Sequence, residues 1–135
     1  MGYNTIMMDP AKNINCGDVV IIATGTGVII IGKLVKYDND RAVLMNPAVV
    51  QIHPTVKDGK QSSQIFMGLL TPDTITVNKS RFTVIPINII FDVEKASESI
   101  LGTYSDYAKQ VDEQLFKKNM TEEELTAQEE FYKNL

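Results

Sequence analysis

Short hydrophobic runs separated by turn residues dominate the first two thirds of the chain and predict β-strands. The central stretch, residues 28–45, has a β-branched run up to Gly32, an alternating segment, a turn at Asp38-Asn39-Asp40 and a second apolar run. β-Branched side chains suit a pleated surface, whereas a glycine inside a strand marks a bend or a close backbone approach. This stretch therefore predicts a β-hairpin that is bent at Gly32.

Turn residues on either side extend the same pattern. Gly25-Thr26-Gly27 and Asp58-Gly59 each separate two hydrophobic runs and predict hairpin turns, the second at a tip that projects into solvent. Pro47 interrupts a strand predicted over residues 42–52 and favours a bulge or an edge. Strands that recur about every ten residues are typical of a small sandwich or barrel.

From Val93 onward the hydrophobic period becomes three or four residues, which predicts a helix. The apolar stripe of this helix consists of Ala96, Ile100, Tyr104, Tyr107, Ala108, Val111 and Leu115. Asn119 ends the helix, and Thr121 with Glu124 forms a capping box that begins another. The predicted organisation is an N-terminal arm over residues 1–18, a β domain over 19–92 and a helical extension over 93–135.

Acidic residues are concentrated in the C-terminal third. Residues 94–135 carry ten acids and five lysines, a net charge of −5, while residues 1–93 have a net charge of +1. A near-neutral body does not wrap long nucleic acid, because that requires many cations to replace phosphate counterions, but it allows a small local site.

The side-chain inventory points away from catalysis and cofactors. With Cys16 as the single cysteine and His53 as the single histidine, we expect no disulfide, no metal site and no cofactor. Asp38, Asp40 and Asp73 lie in turns, where carboxylates commonly bond to the local backbone. We expect a non-enzymatic cytoplasmic protein without a membrane span or a signal peptide.

Two motifs give the chain a family resemblance. Gly32-Lys33-Leu34-Val35-Lys36-Tyr37-Asp38 is similar to the G-x-L-x-x-[FY]-D segment of the Sm-like (LSm, Hfq) family. Thr83-Val84-Ile85-Pro86 is similar to the T-V-V-P that closes the last strand of Hfq. The resemblance covers about half of the chain and extends to Sm-like proteins of marine phages. It implies a small, strongly bent, five-stranded antiparallel β-barrel that forms a homo-oligomeric ring through its strand edges.

The resemblance also implies a site for single-stranded RNA in two loops. The candidate RNA-binding residues are Asp38, Asn39, Asp40, Arg41, Asn78, Lys79 and Arg81. Asp38 matches the aspartate of the family, but Ala42 stands at the asparagine that contacts the base and Asp40 at the stacking position. The alternative is a structural or protein-interaction ring, for example a phage component, that has lost RNA binding and docks a protein on its acidic helices.

Overall fold

The computed structural model describes residues 13–69 and 81–135. The main elements of these ranges are β1 (Val19–Thr24), β2 (Ile29–Tyr37), β3 (Arg41–Lys57), β4 (Lys60–Leu69), β5 (Phe82–Pro86), β6 (Ile90–Lys95), α1 (Glu98–Val111) and α2 (Glu122–Lys133). A 3-10 turn, Ile87–Ile89, joins β5 to β6. A π-helical turn, Asp112–Phe116, and a helical turn, Lys117–Asn119, follow α1. The described fold is mainly β with helices at its C-terminal end, which confirms the coarse prediction.

The strands form an antiparallel sheet in the order β4-β3-β2-β1-β6, and β5 pairs with the first half of β3. The predicted antiparallel sheet is therefore confirmed. Within the described residues, no pairing joins β6 to β4 or β5. The sheet is open at that point, and the predicted closure into a barrel is not seen in it.

Gly32 lies at a break in the pairing of β2 with β3. The pairs on either side of the break are Ile31 with Ala48 and Lys33 with Met45. Two residues of β3 therefore oppose one residue of β2, which is a β-bulge. A bulge of this kind bends its strand and increases the local twist.

Asn46 and Pro47 are the two bulged residues of β3. Asn46 adopts a φ of +50°, in the left-handed region. Proline is tolerated at a bulge because no ladder bond needs its missing N–H. A Cβ built on Gly32 would lie 3.0 Å from the Cβ of Leu44, so the close approach predicted for this glycine is present. The prediction of a bulge at Pro47 is confirmed, and Gly32 lies opposite that bulge.

Beyond Val50, β3 and β4 continue as a two-stranded ribbon. Val50 is the last residue of β3 that pairs with β2, whereas the pairing with β4 runs on to Lys57 opposite Lys60. Asp58 and Gly59 have φ values of +53° and +75°, as a tight hairpin turn requires. The predicted solvent-exposed tip is confirmed, and β3 is longer than the predicted strand over residues 42–52.

Each face of the sheet contributes a cluster of buried residues. One face forms a cluster that includes Val20, Ile22, Ile30, Leu34, Tyr37, Leu44, Ile85, Ile90 and Val93. The opposite face packs against α1 through a cluster that includes Ile31, Ala48, Val50, Ile100, Tyr104, Tyr107 and Ala108. The predicted apolar stripe of the first helix is thus part of the core.

Other predictions need correction at their boundaries. β6 runs to Lys95 and α1 begins at Glu98, so the helical part starts later than Val93. Val93 fits the helical spacing but pairs with Ile22 in the sheet, because strand pairing buries it equally well. The arm predicted over residues 1–18 is described only from residue 13, and its Ile14 packs into the first core cluster.

The Thr83–Pro86 segment does not close the last strand, unlike its counterpart in Hfq. It lies in β5, and the last strand is β6, which pairs with β1. The predicted capping box is confirmed, since the N–H of Glu124 donates to Oγ1 of Thr121 and the N–H of Thr121 donates to Oε1 of Glu124, both at 3.1 Å.

Candidate nucleic-acid interface

The loop between β2 and β3 is closed by its own hydrogen bonds. Oδ1 of Asp38 accepts from the backbone N–H of Asp40 at 2.8 Å and of Arg41 at 3.1 Å. Oδ2 of the same carboxylate lies 3.7 Å from Nζ of Lys36. This local bonding was predicted for aspartates in turns. The Asp38 carboxylate therefore shapes the loop, while Asn39 and Asp40 present exposed side chains.

The carboxyl group of Asp38 has a pKa below its ordinary value. Desolvation is the largest single influence and raises the pKa, but the N–H donors of Asp40 and Arg41 and the charges of Lys36 and Arg41 together outweigh it. Asp38 is therefore ionised at neutral pH. The negative charges of Asp38 and Asp40 offset the positive charges of Lys36 and Arg41. The loop therefore attracts phosphate only weakly.

Arg81 contacts the helical layer. Its Nη2 donates to Oδ2 of Asp112 at 3.3 Å, and its Nε lies 3.2 Å from Oδ1 without the alignment of a hydrogen bond. The side chains of Arg81 and Asp112 are only 14% and 19% exposed. The backbone N–H of Arg81 also donates to Oε1 of Gln128 at 2.9 Å. This cation is therefore neutralised inside the protein and anchors the helices to the sheet.

The structure does not bring Arg81 to the loop at Asp38. Pro86, at the end of β5, pairs with Arg41 beside that loop. Arg81 precedes the other end of β5, about 17 Å away for five extended residues. Asn78 and Lys79, the remaining predicted contacts, lie outside the described residues. Of the predicted RNA-binding residues, only those from Asp38 to Arg41 are thus shown to lie together, in one loop.

A buried polar contact at the bulge was missed by the sequence analysis. The hydroxyl of Tyr104 donates to the carbonyl of Asn46 at 2.9 Å and lies 3.1 Å from the carbonyl of Met45. Burial raises the pKa of Tyr104, and a hydrogen bond to the backbone of Lys33 offsets part of that effect. The sequence signal was only that a tyrosine, and not a phenylalanine, stands in an apolar stripe.

The described residues offer little to a metal ion or a cofactor. In the ranges 13–69 and 81–135, no three His, Cys, Asp or Glu side chains converge as metal ligands. A cavity of about 310 Å³ between α2 and the sheet is lined partly by Cys16, Lys33, Glu129 and Lys133. Nζ of Lys133 lies 3.1 Å from Oε1 of Glu129, so these two charges neutralise each other. Beyond this pair, Lys33 is the single charged residue of the lining, which is a weak basis for selecting a ligand.

Comparison with known proteins adds no further assignment. No protein-family model matches the chain, and no curated protein shows significant similarity to it. No helix in the described part of the chain is long and apolar enough to cross a membrane.

Proposed function

We propose that the chain is a ring-forming, non-enzymatic module of the Sm-like type that binds single-stranded RNA in the cytoplasm. The observation that carries the proposal is the antiparallel sheet with a bulge opposite Gly32, in which the G-x-L-x-x-[FY]-D segment runs along β2 to Asp38 and β6, the last strand, lies beside β1. Sheets of this family join edge to edge. In this chain, β4 and β6 end the main strand order of the described sheet, to which β5 is added beside β3, and β4 and β6 are the strands that would meet.

Two features of these strands favour association between copies. β4 is ten residues long, and a long terminal strand is a template for pairing with another chain. On β6, Phe91 occupies a bulge between the pairs of β6 with Ala23 and Thr24, and its side chain is 81% exposed. Because β4 and β6 are different surfaces, their contact is head-to-tail and closes into a ring when the rotation allows it.

The proposed RNA contacts lie at the loop between β2 and β3 and at Lys79. The amide of Asn39 would meet a base edge, and Arg41 and Lys79 would meet phosphates. Repetition of these contacts around a ring would add avidity. Arg81 is left out of the contact set because its guanidinium is paired with Asp112.

Fluorescence anisotropy with short labelled poly-U and poly-A RNA tests this proposal. The intact protein is expected to bind saturably, with an affinity that falls as the salt concentration rises. The double substitution Arg41→Gln and Lys79→Ala is expected to weaken binding and to reduce the salt dependence. The RNA function would be abandoned if the assembled wild-type protein shows no saturable binding at low ionic strength.

The second candidate is a structural or protein-interaction ring without nucleic-acid binding. It is favoured by the engagement of Asp38 with its own loop and of Arg81 with Asp112, which removes two of the predicted contacts. Its partner would be a protein with a basic surface that docks on α2, where Phe131 is 62% exposed beside acidic residues. Light scattering that gives a ring mass, together with a flat anisotropy titration, would select this candidate.

A further inference from the structure

The two faces of the ribbon formed by β3 and β4 carry different side chains. One face is largely apolar and carries Ile52, Pro54, Val56 and Ile65. The opposite face, called the polar ribbon face below, consists of the cross-strand pairs Gln51 with Phe66, His53 with Gln64, Thr55 with Ser62, and Lys57 with Lys60. Successive residues along one strand of this face are about 7 Å apart. An aromatic ring, amides, hydroxyls and lysines thus follow one another from the base of the ribbon to its tip.

Phe66 is held in place while about half of its surface meets solvent. Its side chain is 49% exposed. The rings of His53 and Phe66 are in edge-to-face contact, with centroids 5.0 Å apart and planes at 88°. Nε2 of His53 also lies 3.4 Å from Oε1 of Gln51. These contacts position an exposed aromatic ring that the local fold does not bury.

Gly68 leaves a depression beside this ring. The depression has a volume of about 230 Å³ and is lined by Val49, Gln51, Phe66, Met67 and Gly68. A Cβ at Gly68 would meet no atom within 4 Å, so packing does not require a glycine there. Glycine weakens a strand and is often found where a ligand approaches the backbone. A planar group could therefore enter the depression and lie against Phe66.

Charge along the ribbon favours a polyanion. Lys57 and Lys60 face each other next to the tip, and Asp58 is the single acidic residue between positions 49 and 68. The acidic residues of the chain are concentrated instead in the helical extension. Phe66 and the two lysines lie on one face, about 20 Å apart along the ribbon. An exposed aromatic ring and cations on the same face are the combination that proteins use for single-stranded nucleic acid, in which bases stack and phosphates meet cations.

We propose that the polar ribbon face binds single-stranded nucleic acid, with one base stacked on Phe66 above Gly68. Gln51 and Gln64 are placed to bond base edges, and Lys57 and Lys60 to meet phosphates. The proposal takes its ligand class from the proposed function, but the site is separate from the loop at Asp38. His53, the single histidine of the chain, supports the stacking ring through its edge-to-face contact.

Anisotropy titrations of the full chain with labelled oligo-U RNA and oligo-dT DNA test the site. Phe66→Ala and Phe66→Leu are expected to weaken binding about 5- to 150-fold, as for the loss of one stacked base, while Phe66→Tyr retains affinity. Gly68→Val fills the depression and is expected to weaken binding as well. Lys57→Ala with Lys60→Ala is expected to lower the slope of log K against log salt by about 1.4, since each phosphate contact on a single strand contributes about 0.7.

The matched control is Val56→Ala, on the apolar face of the same ribbon, where the side chain is 74% exposed. It is expected to leave affinity and salt slope unchanged. If the wild-type protein binds but Phe66→Leu binds equally well, the ribbon site is wrong and the proposed function stands. If the wild-type protein binds neither strand, both proposals fail.

Discussion

If residue 32 carried a Cβ, that atom would lie 3.0 Å from Cβ and 3.1 Å from Cδ1 of Leu44. Cβ of Leu44 is fixed to the backbone of β3 and cannot rotate away. We therefore expect Gly32→Ala to destabilise the protein by about 1–3 kcal/mol, the usual cost of overpacking a core. Urea denaturation followed by circular dichroism measures this difference.

Gly68→Ala is the control for that substitution, since a Cβ there would meet no atom within 4 Å. Removing a glycine from a strand lowers the entropy of the unfolded chain, so the free energy of unfolding should be unchanged or higher by up to about 1 kcal/mol. Similar losses at both positions would show that contact with Leu44 is not the reason for the glycine at position 32.

We expect the substitution of tyrosine by phenylalanine to have opposite effects on stability at positions 104 and 107. Tyr104→Phe removes the donor that bonds the carbonyl of Asn46 at 2.9 Å and should cost about 1–2 kcal/mol. The buried hydroxyl of Tyr107 has no hydrogen-bond partner among the residues that the structure describes. Tyr107→Phe should therefore be neutral or stabilising, because it removes a polar group that is buried without compensation.

Thermal and urea unfolding of both variants provide the measurement. Loss of the Tyr104 hydroxyl should also lower the protection of nearby β3 amides in hydrogen exchange, because the contact supports the bulge. If Tyr107→Phe is the more destabilising of the two, the assignment of the supporting hydroxyl to Tyr104 is wrong.

At the scale of elements, the ion pair joins Asp112, the first residue of the π-helical turn, to Arg81, the residue before β5. Asp112→Asn preserves the shape of the side chain but leaves a mostly buried guanidinium without its carboxylate. Hydrogen bonds to charged groups contribute about 1.5–3 kcal/mol, and we expect a loss of that size. Unfolding in urea measures the loss, and near-ultraviolet circular dichroism checks the packing of α2.

The exposed pair of Glu129 and Lys133, one helical turn apart in α2, is the comparison. Their side chains are 40% and 58% exposed, so Glu129→Gln should cost less than about 0.5 kcal/mol. The effect of Asp112→Asn should persist in high salt, whereas any effect of Glu129→Gln should disappear. Equal costs for the two substitutions would contradict a structural role for the buried pair.

The elements differ in how far the sequence could predict them. The turn at Asp58-Gly59, the bulge at Pro47 and the capping box of α2 follow from residues close together in the chain, and all are confirmed. The contact of Arg81 with Asp112 spans 31 residues, and that of Tyr104 with Asn46 spans 58. Hydrophobic periodicity shows which face of an element is buried but not which polar residue it meets on another element.

The same limit explains the candidate site. The sequence analysis placed Asp38 and Arg81 in one RNA site because Asp38 ends one motif of the Sm-like family and Arg81 precedes the other. The pairing of β5 with β3 instead leaves them at opposite ends of a strand. The polar ribbon face was missed because its residues alternate with apolar ones, and the face becomes visible only when the register of β3 and β4 is known.

At the scale of the whole molecule, the helices cover one face of the sheet but leave the ribbon exposed. The acidic extension therefore buries apolar surface without covering Lys57 and Lys60. Negative charge is concentrated in the helices, and two lysines lie on the ribbon. This uneven charge distribution would steer a polyanion toward the ribbon. The proposed association and the proposed ligand binding would both involve β4, the first through its unpaired edge and the second through its polar face.

Assembly through the sheet ends predicts a specific role for Phe91. A ring contact would bury this 81% exposed side chain, so Phe91→Asp should shift the protein toward lower mass, while the fold of each subunit is preserved. Phe131→Asp, on α2, changes an aromatic residue that is 62% exposed and should leave the mass unchanged. Multi-angle light scattering at micromolar concentration distinguishes the two variants. A wild-type protein that is monomeric under these conditions would contradict edge-to-edge assembly, whereas a change in mass with Phe131→Asp alone would place the interface on the helices.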